Sequence, residues 1–226
     1  MRKVFLLPLM LCFLCSLVAC SSDGDDLNGG GGGSGSVYRL KMVDLGLPSG
    51  VLWADCNLGA NTPYEAGNYY AYGETEIKSD YSWATYKWWA EKMIKYTGKD
   101  GKDQLEAADD VVRVRLGEGY RIPTVDDYME LKNECSWYWI SEYHGANGFL
   151  IKGSNGNTIF LPAAGCRSGK DRYSYGANAN YWLSDVCSKD SYTYAYAINS
   201  IGALLGTEAG TGGRVLGFTV RPVAVK

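Results

Sequence analysis

Seven cysteines, one histidine and three adjacent pairs of aspartates, one of them (Asp25-Asp26) near the start of the chain, are the residues of this 226-residue chain whose types admit covalent, metal or acid–base chemistry. Cys12, Cys15 and Cys20 fall in the first twenty residues, while Cys56, Cys135, Cys166 and Cys187 are scattered along the rest. Four thiols allow three pairings, and spacing alone selects none of them. A zinc site needs ligands grouped in the chain, and with widely spaced cysteines and His144 as the only histidine the pattern points away from a metal. A serine or cysteine nucleophile needs a base beside it. His144 sits in Tyr143-His144-Gly145-Ala146-Asn147, a polar stretch that reads as an exposed loop. Asp109-Asp110 could offer oxygens to a hard cation, but two acids just ahead of Val111 fit the capping of a turn. Asp126-Asp127 lie at a helix start, where their charge meets the positive helix end. The expectation is therefore no catalytic set, no metal and no cofactor.

Non-covalent recognition has a stronger signal. From Arg167 to Asn199 the chain is crowded with Tyr, Ser, Asn, Asp and Ala. Tyrosine offers a large contact area for two side-chain torsions, and Ser and Asn adapt their hydrogen bonds to what they meet. The candidate ligand-binding residues are Tyr173, Ser174, Tyr175, Asn178, Asn180, Tyr181, Asp185, Tyr192 and Tyr194, with a protein or a glycan as the expected partner. For Tyr192 to Asn199, whose residues alternate, plain strand preference explains the composition equally well.

Several elements are expected to position these residues. Val37 to Val43 alternates loosely, Pro48-Ser49-Gly50 marks a turn, and Val51 to Ala54 reads as a short strand. Thr85 to Thr97 is expected to be helical, with Trp89, Met93 and Tyr96 on one face. A second helix is expected to start at Thr124, whose hydroxyl can accept from the Asp127 amide, and to carry Tyr128, Leu131 and Cys135 on one side. Gly148 to Lys152 and Thr158 to Leu161, joined by Ser154-Asn155-Gly156-Asn157, form a hairpin pattern. Tyr192 to Asn199 alternates, and Val215 to Val225 closes the chain as a strand.

The beginning of the chain addresses location. Arg2 and Lys3 precede an apolar run from Val4 to Leu17, too short to span a bilayer, and Leu17-Val18-Ala19-Cys20 ends it. This order resembles a bacterial lipobox, which implies cleavage before Cys20 and lipidation of its sulfur. Ser21 to Asp26 is acidic, and Gly29 to Ser36 is all Gly and Ser, a flexible tether. The expected organisation is a signal peptide over 1–19, a lipidated linker over 20–36 and one domain over 37–226. The whole chain has 22 basic and 25 acidic residues, and losing Arg2 and Lys3 leaves 20 against 25. That balance argues against nucleic acid as a partner; the membrane contact expected is the lipid itself.

Val43-Asp44-Leu45-Gly46-Leu47-Pro48-Ser49-Gly50-Val51-Leu52-Trp53-Ala54, Asn57-Leu58-Gly59-Ala60 and Tyr69-Tyr70-Ala71-Tyr72-Gly73-Glu74 resemble the first half of the Fibrobacter succinogenes major paralogous domain, related to the DUF1566 group. Gly119-Tyr120-Arg121-Ile122-Pro123-Thr124, Cys135-Ser136-Trp137, Asn155 to Gly165, Tyr181-Trp182 and Val220-Arg221-Pro222-Val223 continue the likeness in order. Cys166 departs from it, standing where the pattern has tyrosine. The resemblance implies an α+β, C-type-lectin-like domain with short antiparallel strands and two main helices. It also implies a lipoprotein of Bacteroidetes type on the outer membrane, where the acidic stretch after Cys20 looks like the signal for export to the outer face. Related lipoproteins are targets of diversity-generating retroelements, and the late region of the lectin-like fold is the binding face. The Glu-Pro-Asn and Gln-Pro-Asp tripeptides of calcium-dependent sugar binding do not occur among the six prolines. The distant kinship with formylglycine-generating enzymes keeps an oxidase as an alternative function, with Cys166 and Cys187 as the thiol pair; a structural fimbrial or surface subunit is another.

Overall fold

The computed structural model describes residues 40–187, 194–205 and 209–225. The chain begins with β1 (Met42–Asp44) and β2 (Leu52–Ala54), passes a short 3-10 turn at Trp83–Thr85, and forms the two-residue strands β3 (Trp89–Ala90) and β4 (Lys92–Met93). Helix α1 (Val111–Leu116), strand β5 (Tyr120–Arg121) and helix α2 (Val125–Glu134) follow. Then come β6 (Ser136–Tyr143), β7 (Ala146–Lys152), β8 (Thr158–Pro162), β9 (Cys166–Ser168), β10 (Asp171–Tyr173) and β11 (Asn180–Trp182). The last are β12 (Tyr194–Ile201), β13 (Leu204–Leu205), β14 (Gly210–Gly213) and β15 (Val223–Ala224). The result is a mixed α+β architecture of small sheets, and every paired strand is antiparallel.

One sheet, in the order β1-β2-β15-β5, ties the two ends of the described chain together. A second is the meander β6-β7-β8, and a third holds β11, β12 and β13 with β14 along the other half of β12. A core of Leu45, Trp53, Tyr128, Leu131, Phe149, Leu161, Tyr181 and Val223 lies between them. A second apolar cluster gathers Tyr70, Tyr72, Tyr96, Trp182, Phe218 and Val220, in which the Trp182 and Phe218 rings stack with centroids 4.3 Å apart.

Two buried arginines fasten segments far apart in sequence. Arg221 is fully buried; it donates to Asn57 Oδ1 at 2.8 Å and to the carbonyls of Ala54, Asp55 and Phe160 at 2.9, 2.6 and 2.7 Å. Arg214, equally buried, donates to the carbonyls of Tyr194 and Tyr96 at 3.2 and 2.6 Å. Neither arginine meets a carboxylate among the described ion pairs, so carbonyl dipoles replace their lost hydration.

Local signals decided some elements and lost others. Thr124 caps α2 as expected, with its hydroxyl accepting from the Asp127 amide at 3.1 Å, while the Asp127 carboxylate accepts back from the Thr124 amide at 2.6 Å. Tyr128 and Leu131 are buried beneath that helix. The hairpin turn falls at Ser154 to Asn157, between β7 and β8. The helix expected over Thr85 to Thr97 does not form. Glu91 and Tyr96 adopt left-handed backbone at φ 60° and 57°, which a helix cannot contain. Asp109 draws the end of the segment inward instead, accepting from the Tyr96 hydroxyl at 2.6 Å and from Lys95. Met93 and Tyr96 are buried, whereas Trp89 is 40% exposed, so the three do not share one face. The second helix of the fold is α1, capped by Asp110, whose carboxylate accepts from the amides of Val112 at 2.9 Å and Arg113 at 3.2 Å. The closing strand is reduced to Val223–Ala224; Gly217, Phe218 and Thr219 make single bridges to Arg167, Tyr70 and Tyr181. Cys20, the acidic stretch and the Gly/Ser tether lie outside the described residues.

Candidate functional site

The tyrosine-rich segment folds as a ribbon, a tight turn and a core strand. Gly165, at φ 64°, makes the turn possible. A Cβ on it would lie 2.7 Å from the Tyr175 amide nitrogen, so the Tyr173–Tyr175 backbone passes flush over this residue. Ser174 is itself left-handed at φ 53°, and its carbonyl accepts from the amides of Ala177 and Asn178 at 3.1 and 3.0 Å. The turn lifts Tyr173 and Tyr175 outward, each 52% exposed.

Tyr175 and Gly176 form one wall of a recess of about 90 Å³ whose other walls are Glu142, Gly145, Ala146, Asn147, Pro162 and Ala163. Asn147 stitches the walls together. Its amide nitrogen donates to the Gly176 carbonyl at 2.8 Å, its side-chain oxygen accepts from the Glu142 amide at 3.1 Å, and its carbonyl accepts from the Ala163 amide at 2.7 Å. Gly176 in turn donates to Ala163 at 2.8 Å. Beside the recess, the β6–β7 tip carries His144, which stacks on Tyr64 with centroids 5.0 Å apart and meets Tyr143 edge-on at 4.7 Å.

Backbone strain gathers around this recess. Five described non-glycine residues have positive φ: Glu91, Tyr96, Glu142, His144 and Ser174. Three of the five border the recess, since Glu142 lines it, His144 precedes the lining Gly145, and Ser174 precedes the lining Tyr175. Each left-handed non-glycine residue costs on the order of 1–2 kcal/mol and persists only where its surroundings enforce it, a cost often met at ligand-contacting surfaces.

The structure distributes the nine candidate residues unequally. Tyr173, Ser174 and Tyr175 lie at the surface turn, and Asn178 is half-buried behind it. Asn180 and Tyr181 belong to the interior, a correction to their placement on a contact face. Tyr181 is fully buried and donates to the Pro162 carbonyl at 2.7 Å, and Asn180 donates to the Gly165 carbonyl at 3.2 Å. They hold the recess from beneath. Asp185 accepts from the Val125 amide at 2.7 Å and from Gln104 at 3.2 Å, so it anchors the start of α2; burial raises its pKa and those bonds oppose the rise. Tyr194 is 42% exposed but pairs with Gly213 at the end of β12 opposite Asn199, the partner of Asn180. Five residue steps along β12 lead from Tyr194 to Asn199, roughly 17 Å at the usual rise, so Tyr194 is not part of the recess surface. Tyr192 lies outside the described residues.

The β6–β7 tip, expected only as an exposed loop around His144, supplies the facing wall of the recess. Its signal was the polar run Glu142 to Asn147, but only the fold brings that run against Tyr175.

The described thiols are all free. Burial, then Asp55, pushes Cys56 up to about 12, and burial also raises Cys135 and Cys166. Thiolate, the reactive form, is therefore suppressed at all three. No three His, Cys, Asp or Glu side chains gather as a metal site among the described residues, and no described helix is long and apolar enough to cross a membrane. Compared with family models, with curated proteins and with solved structures, the chain finds no match.

Proposed function

We propose that this chain is a lipid-anchored recognition or adhesion module of the cell surface, binding a protein or glycan through the face around Tyr175. In this reading Cys20 bears the lipid, the Gly29 to Ser36 tether spans to the domain, and the outer membrane, exterior side, is the site of display. The domain is of the major paralogous type with a C-type-lectin-like fold; the small antiparallel sheets, and the ends of the described residues joined through β1, β2 and β15, support that assignment.

One observation carries the functional reading: three left-handed non-glycine residues border a single recess walled by an exposed tyrosine. Packing alone gains nothing from strain concentrated beside an open hollow, whereas a contact surface gains a fixed shape. The test is retention of the full-length chain in detergent on glycan and protein arrays. Tyr175→Ala is expected to weaken retention at least tenfold, the loss of a central aromatic anchor, with Tyr194→Ala as an exposed control far from the recess. Equal retention by the parent and Tyr175→Ala would overturn the proposal.

A further inference from the structure

The β9–β10 ribbon carries two positive charges with no carboxylate against them. Arg167 and Arg172 are direct cross-strand partners, so both project from the same face of the ribbon. Like charges placed opposite each other work against pairing. Neither arginine enters an ion pair among the described residues. Each lies against an aromatic ring instead: the Arg172 guanidinium carbon is 3.7 Å from the Tyr175 centroid, and that of Arg167 is 5.3 Å from the Tyr69 centroid. Tyr69 is buried and fixed, its hydroxyl donating to the Ala164 carbonyl at 2.6 Å. The ring contacts, and for Arg172 the Tyr69 hydroxyl as well, hold the guanidinium groups in place; with five N–H donors, each arginine keeps others with which to grip an oxyanion in two-point fashion.

Tyr175 joins this pair to the recess, because Arg172 lies against its ring and the same residue lines the hollow with Glu142. The Glu142 carboxylate is exposed and has no partner among the described residues. It suits hydroxyl donors and repels a run of acids. A ligand that satisfies both halves carries anionic groups set apart by several neutral hydroxyls.

We propose that Arg167 and Arg172 form the anion subsite for an acidic saccharide, with its carboxylate or sulfate on the arginine pair and its hydroxyls toward Glu142 and Asn147. The proposal rests on the reading of the Tyr175 face as a recognition surface and names the ligand class of that face.

Calorimetric titration of the full-length chain in detergent with tetragalacturonate, its methyl ester, a sulfated heparin tetrasaccharide and a tetraglutamate peptide tests it. The expected result is saturable binding of at least one acidic saccharide, weakening with salt. The tetragalacturonate-against-heparin comparison assigns the carboxylate or the sulfate. The methyl ester and tetraglutamate are expected to bind at least tenfold more weakly. Arg172→Gln and Arg167→Gln are expected to cut affinity at least tenfold, Arg172→Lys to recover part of it, and Lys170→Gln, at the turn of the same ribbon, to stay within twofold. Near-ultraviolet circular dichroism checks that each variant keeps its packing. Binding of neither acidic saccharide, equal binding of tetraglutamate, or equal binding by the arginine variants would overturn the inference. If acidic saccharides fail while Tyr175→Ala still abolishes array retention, the recognition reading stands without this ligand; if Tyr175→Ala has no effect either, both fall.

Discussion

Replacing Arg221 with lysine isolates what the guanidinium fork contributes. The native side chain serves four acceptors from two separate stretches, Ala54 to Asn57 and Phe160, and is fully buried. Lysine keeps the buried charge, so no desolvation is relieved, but its three donors sit on one nitrogen and cannot reach four acceptors spread around a plane. At least one charge-assisted bond is lost, about 1.5–3 kcal/mol, and the orphaned buried acceptor adds about 1–3 kcal/mol. The expected loss is about 3–5 kcal/mol, a large part of the 5–15 kcal/mol typical of a folded domain. For a domain of this size each kcal/mol shifts Tm by about 2–4 °C, so a fall of roughly 6–20 °C is expected. Urea unfolding followed by tryptophan fluorescence gives the value directly. The consequence reaches the recess, because β8, gripped at Phe160, supplies its Pro162 wall. A variant within about 1 kcal/mol of the parent would refute the argument, for it would mean that ordinary packing places β8 without the clamp.

Gly165→Ala must push the Tyr173–Tyr175 backbone aside and also takes a β-carbon into the left-handed region; ligand retention is expected to fall together with thermal stability, and unchanged values of both would contradict the close approach. Burial resists ionisation of Asp127, but Arg121 and Thr124 more than offset it and its pKa is lowered, so its contribution is complete above the unfolded value of 3.8 and is lost as the pH falls through the folded value. Asp127→Asn is expected to cost about 1 kcal/mol at pH 7, and the difference from the parent, followed by urea midpoint, is expected to shrink toward pH 3; a difference that grows on acidification would contradict the sign. Cys56, with its pKa pushed up to about 12, is expected to resist iodoacetamide at pH 8 in the native chain and to react after unfolding in urea without reductant, as peptide mass spectrometry reads. Fast native labelling of Cys56 would count against its burial.

Legibility followed the range of the forces involved. The start of α2 was readable because a capping box is contained in four residues, Thr124 to Asp127. The β7–β8 turn was readable because Asn155 and Gly156 suit its conformation. Helix α1 was hidden because Val111-Val112-Arg113-Val114-Arg115 alternates like a strand; the Asp110 cap, and the 3.0 Å bond from the Ile122 amide that fixes it, decide otherwise. Around Trp89 to Tyr96 the apolar spacing suggested a helix, but the buried Asp109 carboxylate, distant in sequence, reorganised the segment. Half of the recess was legible in the composition around Tyr173 to Tyr175. The other half, Glu142 to Asn147, joins it only through the Asn147 hydrogen bonds, which no local pattern announces.

The central claim is that ligands meet this chain at the recess, and His144 is its natural reporter. It is the only histidine, so its imidazole protons give a single assignable pair of nuclear magnetic resonance signals, and it is adjacent in sequence to the lining residue Gly145. Titrating the full-length chain with each ligand retained on the arrays is expected to move those signals in step with saturation. Saturation with the His144 signals unmoved would place the contact elsewhere and contradict the account.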